Sequence, residues 1–141
     1  MLKNIPKNIS PELLKILAEM GHGDELVLAD GNFPAEEMGR KVVRCDGLTV
    51  PGLLKSILGL FPLDTFVENN VFLMEIPAGD DYQPVIWEEY KEILKNSGEE
   101  VNIAHVERFA FYDQARKAYA VVATSEEALY ANIILKKGVV K

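Results

Sequence analysis

The amino-acid sequence predicts an α/β fold, with three layers (αβα) built around a mostly parallel or mixed sheet. Short apolar runs of strand length alternate along the chain with segments whose apolar residues recur at helical spacing. No repeat and no linker-like tract rich in Pro, Gly and Ser interrupts this alternation. Strands that alternate with helices favour a sheet covered on both faces. With 141 residues, the chain is expected to form one domain over residues 1–141.

Two helices and two strands are predicted in the first half of the chain. Ser10 followed by Pro11 is typical of an N-cap and a first helical position, and the apolar stripe after them ends before Gly21. Pro51 lies at the start of a second stripe, which Pro62 terminates. The apolar runs between the two stripes are too short for helices. The predicted elements are a helix over residues 11–20, strands over 25–29 and 41–44, and a helix over 49–61.

The second half of the chain continues the alternation. Apolar residues repeat at helical spacing between positions 86 and 94, and Gly98 is a suitable terminator for that helix. The apolar runs on both sides of it have the length and the content of strands. The predicted elements are strands over residues 71–76, 101–106, 119–123 and 132–135, helices over 86–94 and 109–117, and a short helical turn over 126–129.

Composition excludes several classes of protein. A net charge of -7 repels phosphate backbones, so no nucleic-acid partner is expected. The single cysteine, Cys45, can form neither an internal disulfide nor a cysteine zinc site, and no apolar stretch is long enough to span a membrane. We therefore expect a soluble, cytoplasmic protein. A mean hydropathy of +0.01 is equally compatible with a buried subunit interface and with a well-filled monomeric core.

Motifs for several kinds of chemistry are absent from the sequence. It contains no phosphate-binding glycine loop, no dinucleotide-binding GxGxxG, no GxSxG and no cluster of histidines or cysteines for a transition metal. The sequence therefore offers no motif that would indicate redox, phosphoryl-transfer or covalent acyl chemistry. We expect no cofactor and no metal.

The most unusual motif is His22, which lies between Gly21 and Gly23 where the first helix turns into the first strand. The glycines let the backbone bend sharply and leave the imidazole unhindered, and histidine titrates near neutral pH. His22 is therefore a candidate acid/base group, although a surface histidine near a helix end has the same spacing. The second histidine, His105, lies within a predicted strand and is interpreted as structural.

Two aspartates are further candidates. Asp30 ends the first predicted strand, and the carboxyl ends of strands in α/β sheets are where ligand crevices form. It also has the pattern of a turn-capping aspartate. Asp64 lies between a helix and a strand and is either a loop residue or a second acid/base group. Asp46 precedes Gly47, which indicates a turn.

Polar and aromatic candidates lie toward the C-terminus. Arg108 and Tyr112 are four residues apart, so they share one face if a helix begins near Phe109. A guanidinium donates to sugar oxygens and an aromatic ring stacks on a pyranose, although such an aromatic stripe is also typical of a core. The segment 130–132 supplies a phenol, a backbone amide and a carboxamide, or is simply a turn.

Taken together, segments spread over nearly the whole chain resemble the L-fucose mutarotase family of the L-fucose mutarotase and D-ribose pyranase superfamily. Their order and spacing carry the resemblance more than any single motif does. The segments are residues 20–25, 30–34, 44–47, 62–64, 108–112 and 130–138.

The resemblance implies a function and a set of site residues. His22 would be the acid/base group, with either Asp64 or Tyr112 as the second catalytic group, and Met74 would also contact the sugar. The implied substrate-binding residues are Asp30, Arg108, Tyr112, Tyr130, Ala131 and Asn132. The implied activity is interconversion of the α and β anomers of L-fucose by acid/base-catalysed ring opening. The implied assembly is a homo-oligomer, a decamer of two pentameric rings, with active sites near subunit contacts.

The preferred sugar remains open on the sequence. Members of the fucose branch usually carry Tyr-Gly-Asn where this chain has Tyr130-Ala131-Asn132, and Tyr-Ala-Asn is typical of D-ribose pyranases. In contrast, Phe33-Pro34 and the stretch 108–112 resemble the fucose branch, which we therefore favour. The alternatives are a D-ribose pyranase and, from a different class, a non-catalytic monosaccharide-binding protein.

Overall fold

A computed structural model describes residues 1–141 and contains five helices and six strands. The helices are α1 (Pro11–Glu19), α2 (Ala35–Met38), α3 (Val50–Leu58), α4 (Val85–Asn96) and α5 (Arg108–Lys117). The strands are β1 (Glu25–Ala29), β2 (Val42–Cys45), β3 (Val71–Met74), β4 (Ile103–Val106), β5 (Ala120–Thr124) and β6 (Ile133–Lys136). None of the helices is long and apolar enough to cross a membrane.

All six strands form one mixed sheet in the order β2-β5-β1-β6-β3-β4. The pairs β1–β5, β2–β5 and β3–β4 are parallel, whereas β6 is antiparallel to both of its neighbours, β1 and β3. Five strands therefore run in one direction and only β6 runs in the other. We call the edge where β1 to β5 end the carboxyl edge and the edge where they begin the amino edge. The prediction of a mixed α/β sheet is confirmed.

Alternation along the strands divides the core between the two faces of the sheet. Successive side chains of a strand point to opposite faces, so Leu26 and Leu28 pack with α1, α3 and α4, while Val27 and Ala29 pack with α2 and α5. The three-helix face has a cluster of 25 buried residues and the two-helix face a cluster of 12. The main core therefore lies under α1, α3 and α4, and the layers are αβα.

The helices begin where the sequence satisfies their free amide groups. The Ser10 side chain accepts a hydrogen bond from the Leu13 amide, which confirms the predicted N-cap of α1. The Glu107 carboxylate accepts from the amides of Phe109 and Ala110 in the same way. This cap fixes the start of α5 at Arg108.

Several details differ from the sequence prediction, including the end of α3 at Leu58 instead of 61 and the start of β4 at Ile103 instead of 101. The helical turn predicted over residues 126–129 does not form, and the chain makes an irregular turn there in which the Glu126 carboxylate accepts from the amides of Glu127 and Ala128. The four-residue helix α2 was not predicted, since it is too short to show a periodicity. Strand β3 ends at Met74, two residues early, because its neighbour β4 ends at Val106.

Candidate active site

The predicted site residues fall into two groups at opposite edges of the sheet. The carboxyl-edge group comprises Asp30, Arg108, Tyr112, Tyr130 and Asn132. The amino-edge group is the pair His22 and Asp64. Strand β1 lies between His22 and Asp30, and its five residues span about 16 Å at roughly 3.3 Å per residue. A single chain therefore does not bring the two groups together.

The carboxyl-edge group lines an open cleft of about 300 Å³. This volume is at the lower end of the usual range for small-molecule sites. The other lining residues are Asn32, Phe33, Pro34, Met74, Pro77, Asp80 and Leu129. A larger groove of about 680 Å³ runs along the N-terminal residues 1–14, but it contains none of the predicted site residues. The cleft is the better candidate because it combines apolar walls with charged and polar groups.

Adjacent strand ends position Asp30 and Asn132 at the bottom of the cleft. Asp30 follows β1 and Asn132 precedes the antiparallel β6, so the two residues meet, and the Asp30 amide donates to Asn132 Oδ1 at 2.8 Å. The Asn32 amide donates to Asp30 Oδ1 at 3.0 Å. The carboxamide oxygen of Asn132 is thereby occupied, and its nitrogen is the group available to donate to a ligand.

We expect Asp30→Asn to raise the free energy of unfolding at neutral pH. Burial raises the pKa of the Asp30 carboxyl, and although the Asn32 and Phe33 amides and the Asn132 side chain oppose this, the net shift is upward. A carboxyl whose pKa is higher in the folded state opposes folding once it ionises. The advantage of asparagine should appear as the pH rises above the ordinary value of 3.8 and be absent well below it. Chemical denaturation of both proteins at pH 7 and at pH 3 measures this difference in the free energy of unfolding.

Asp46→Asn is the control for this prediction. The Arg44 guanidinium beside Asp46 lowers the pKa of that exposed carboxyl, so the expected sign is reversed and asparagine should give no stabilisation at pH 7. An Asp30→Asn protein that gained as much stability at pH 3 as at pH 7 would show that charge burial is not the cause.

Arg108 and Tyr112 form one wall of the cleft, on the same face of α5. The guanidinium lies 5.7 Å from the centre of the Tyr112 ring, and that ring meets the Phe33 ring edge-on at 5.9 Å. Arg44 and Arg116 make salt bridges with carboxylates of the chain, whereas Arg108 makes none. Its guanidinium is therefore free to donate to oxygen atoms of a ligand.

Two side chains of helix α4 donate hydrogen bonds to the backbone of the Tyr130-Ala131-Asn132 segment. Tyr130 has a φ of 58°, in the left-handed region that non-glycine residues rarely adopt. Trp87 Nε1 donates to the Tyr130 carbonyl at 2.8 Å, and the Tyr90 hydroxyl donates to the Ala131 carbonyl at 2.6 Å. Ala131 is fully buried in the core, so its methyl group does not line the cleft. Sequence analysis placed Trp87 and Tyr90 on a helix stripe but missed this supporting role.

The amino-edge pair consists of an exposed imidazole and a buried carboxylate. His22 Nε2 lies 3.0 Å from Asp64 Oδ1, and the two side chains are 46% and 2% exposed. Burial raises the pKa of Asp64, but the Phe66 amide and His22 outweigh that effect and the net shift is downward. An ionised Asp64 accepts from Nε2–H and leaves Nδ1 of His22 free to take a proton.

The backbone around this pair is closely fitted. Gly23 has a φ of +88°, and its amide donates to the Lys137 carbonyl at 2.8 Å, which explains the bend after His22. A Cβ at Gly138 would lie 2.5 Å from the Leu63 carbonyl oxygen, so the segment that carries Asp64 packs directly against the end of β6. The pair is therefore held by three separate parts of the chain.

Other residues have roles that the sequence did not reveal. Asp80 lines the cleft and accepts a hydrogen bond from the Tyr130 hydroxyl, but it lies in a loop without periodicity. His105 is exposed on β4, with its ring 5.0 Å from that of Trp87, and it does not line the cleft. No group of three or more His, Cys, Asp or Glu side chains is arranged to hold a metal ion.

Comparisons with known proteins converge on one family. The profile of the RbsD / FucU transport protein family matches residues 3–140. A fucose mutarotase of Danio rerio is 52% identical over 145 residues, which cover 99% of this chain and 95% of the relative. The crystal structure of the fucose mutarotase of Streptococcus pneumoniae in complex with L-fucose has a TM-score of 0.95 and 53% identity, covering 99% of this chain and all of the other. The structure of Bacillus subtilis RbsD complexed with D-ribose covers both chains fully, with a TM-score of 0.73 and 25% identity.

Proposed function

The chain belongs to the RbsD / FucU family, and from that membership we propose that it is an L-fucose mutarotase, an isomerase that interconverts the α and β anomers of free L-fucose. One observation carries the proposal: the polar cleft at the carboxyl edge occurs in a chain that is 53% identical to a fucose mutarotase crystallised with L-fucose. The lower identity to the D-ribose complex supports fucose over ribose.

The walls of the cleft suit a 6-deoxy sugar. The methyl group of L-fucose needs an apolar contact, and the cleft offers Phe33, Pro34, Met74 and Leu129. The hydroxyl groups of the sugar need both hydrogen-bond donors and hydrogen-bond acceptors. Arg108 and the Asn132 nitrogen donate, whereas the Asp30 carboxylate accepts. D-ribose has no methyl group, so these apolar contacts favour fucose.

The reaction requires only proton transfers. The C1 hydroxyl loses its proton while the ring oxygen gains one, the C1–O5 bond breaks, and the open-chain aldehyde forms. Rotation about C1–C2 and closure on the other face give the second anomer. In the proposed mechanism Nδ1 of His22 exchanges a proton with the sugar, and Asp64 holds the Nε2–H side and stabilises the imidazolium.

In the proposed mechanism, His22 acts on a sugar bound by a second subunit. We infer that the His22–Asp64 pair of one subunit faces the cleft of the next, since the two lie at opposite edges of one chain. Exposed apolar side chains support contacts at both edges: Phe66 at the pair, 70% exposed, and Leu129 at the cleft, 58% exposed. Contacts between unlike surfaces form rings when the rotation from one subunit to the next closes, and the expected decamer of two pentameric rings is such an arrangement.

The cellular location is also part of the proposal. Cys45 is unpaired and buried, as is usual for a protein in a reducing compartment. An enzyme that acts on free monosaccharides in carbohydrate metabolism meets its substrate in the cytoplasm, so we propose that location.

Exchange NMR on the anomeric protons tests the activity directly. Saturation transfer between the α and β signals of L-fucose should increase on adding the protein, and the same measurement on D-ribose should show a smaller increase. Acceleration with ribose alone would identify a D-ribose pyranase, the alternative favoured by the Tyr130-Ala131-Asn132 segment. Binding of L-fucose without any acceleration would identify a non-catalytic monosaccharide-binding protein.

A further inference from the structure

A loop between β3 and α4 places Asp80 against a residue of the proposed sugar site. The Tyr130 hydroxyl donates a hydrogen bond to Asp80 Oδ2, and the Tyr82 amide donates to Asp80 Oδ1 at 2.9 Å. The Tyr82 ring also stacks on the Tyr130 ring, with the centroids 6.0 Å apart. Both oxygens of Asp80 therefore accept hydrogen bonds. The bond from the Tyr130 hydroxyl and the stacked Tyr82 ring together orient the Tyr130 side chain.

The contact with Asp80 determines what Tyr130 can offer a ligand. A phenol has one proton to donate and two lone pairs that accept. An ionised carboxylate only accepts, and the Tyr130 and Tyr82 hydrogen bonds lower the pKa of Asp80, so it stays ionised at neutral pH. The single proton of Tyr130 thus points at Asp80, and the phenol oxygen presents only lone pairs to the cleft.

We propose that Asp80 is a specificity-determining residue that acts through Tyr130, fixing its hydroxyl as an acceptor so that the cleft selects a sugar hydroxyl that donates there. The inference rests on the proposed function in one respect, that the ligand is a monosaccharide. It assigns a positioning role to Asp80, which faces the cleft next to Tyr130.

The other polar residues of the cleft determine what an acceptor at Tyr130 adds to the recognition of the sugar. Arg108 has only donors and Asn132 has its oxygen occupied, so both present N–H groups to the ligand. The Asp30 carboxylate, which also lines the cleft, is an acceptor. With Tyr130 fixed as an acceptor, these four residues supply two donors and two acceptors in set positions. A sugar whose hydroxyl facing Tyr130 is replaced by a group that cannot donate should therefore lose affinity at that ring position.

Deoxyfluoro sugars test the inference, because a C–F group cannot donate a hydrogen bond. Titration of the protein with L-fucose and its 2-, 3- and 4-deoxyfluoro analogues should show one position, the one facing Tyr130, at which fluorine weakens binding about tenfold or more. In Asp80→Asn, the amide oxygen stays on the Tyr82 amide and the nitrogen faces Tyr130, which frees the phenol proton. The penalty at that one position should then become clearly smaller, because the ligand no longer has to donate there, although C–F accepts only weakly from the freed phenol proton.

Asp81→Asn is the matched control, because it removes the same charge from the neighbouring exposed residue, which does not line the cleft. It should keep the wild-type pattern. A merely structural role for Asp80 would weaken all analogues equally, and that result, or an unchanged pattern in Asp80→Asn, would overturn the inference. Wild-type binding of L-fucose in the same titration reports separately on the proposed function.

Discussion

Replacing His22 by alanine is expected to reduce the catalysed exchange of L-fucose anomers by about 10²- to 10⁴-fold, the usual contribution of a general acid/base. His22 is 46% exposed and makes no backbone contact through its ring, so folding should survive the change. The cleft residues that bind the sugar hydroxyls, Asp30, Arg108 and Asn132, are unchanged in this variant, so L-fucose binding should change little. Exchange NMR gives the rate and calorimetric titration gives the affinity.

Two further variants make this result specific. His105→Ala removes the only other histidine, which lies on β4 beside Trp87, and should leave the rate unchanged. Asp64→Asn keeps the shape of the side chain but removes the charge that stabilises an imidazolium, so it should lower the rate less than His22→Ala does. Undiminished exchange in His22→Ala would exclude the proposed acid/base role.

The sequence predicted the elements whose signals are local. Ser10 and the stripe after it predicted α1, because a cap and a periodicity of 3.6 both lie within about ten residues. The run ending at Asp30 predicted β1 and the position of that carboxylate at the carboxyl edge. Arg108 and Tyr112 were expected on one helix face, and they line the cleft together. In each case the relevant contacts are close in sequence.

The features of the fold and of the site that the sequence did not predict depend on contacts between distant parts of the chain. Asp64 meets His22 across 42 residues, and no spacing rule predicts such a pair. The antiparallel insertion of β6 between β1 and β3 brings Asn132 to Asp30, and nothing in the pattern of β6 encodes its direction. His22 and Asp30 are close in sequence but far apart in the fold, since the whole of β1 lies between them.

That separation leads to the second large effect, the recovery of activity from two inactive variants. His22→Ala lacks the acid/base group and Arg108→Ala lacks a donor of the cleft, so each protein alone should be close to inactive. If each site combines the His22 edge of one subunit with the cleft of the next, random mixing in one oligomer gives about a quarter of the sites with both parts intact. Co-expression with two different tags, followed by exchange NMR on the doubly purified oligomers, measures the recovery.

The control mixture distinguishes assembly from any other form of rescue. His22→Ala and Asp64→Ala both damage the amino edge, and because Asp64 acts on His22 within its own chain, no arrangement of these subunits gives an intact pair. This mixture should show no activity beyond that of the Asp64→Ala subunits alone, under the conditions in which the first mixture recovers. Equal recovery in both mixtures, or none in the first, would contradict a site shared between subunits. Recovery in the first alone would mean that the sheet itself, by separating His22 from Asp30 along β1, makes the oligomer necessary for catalysis.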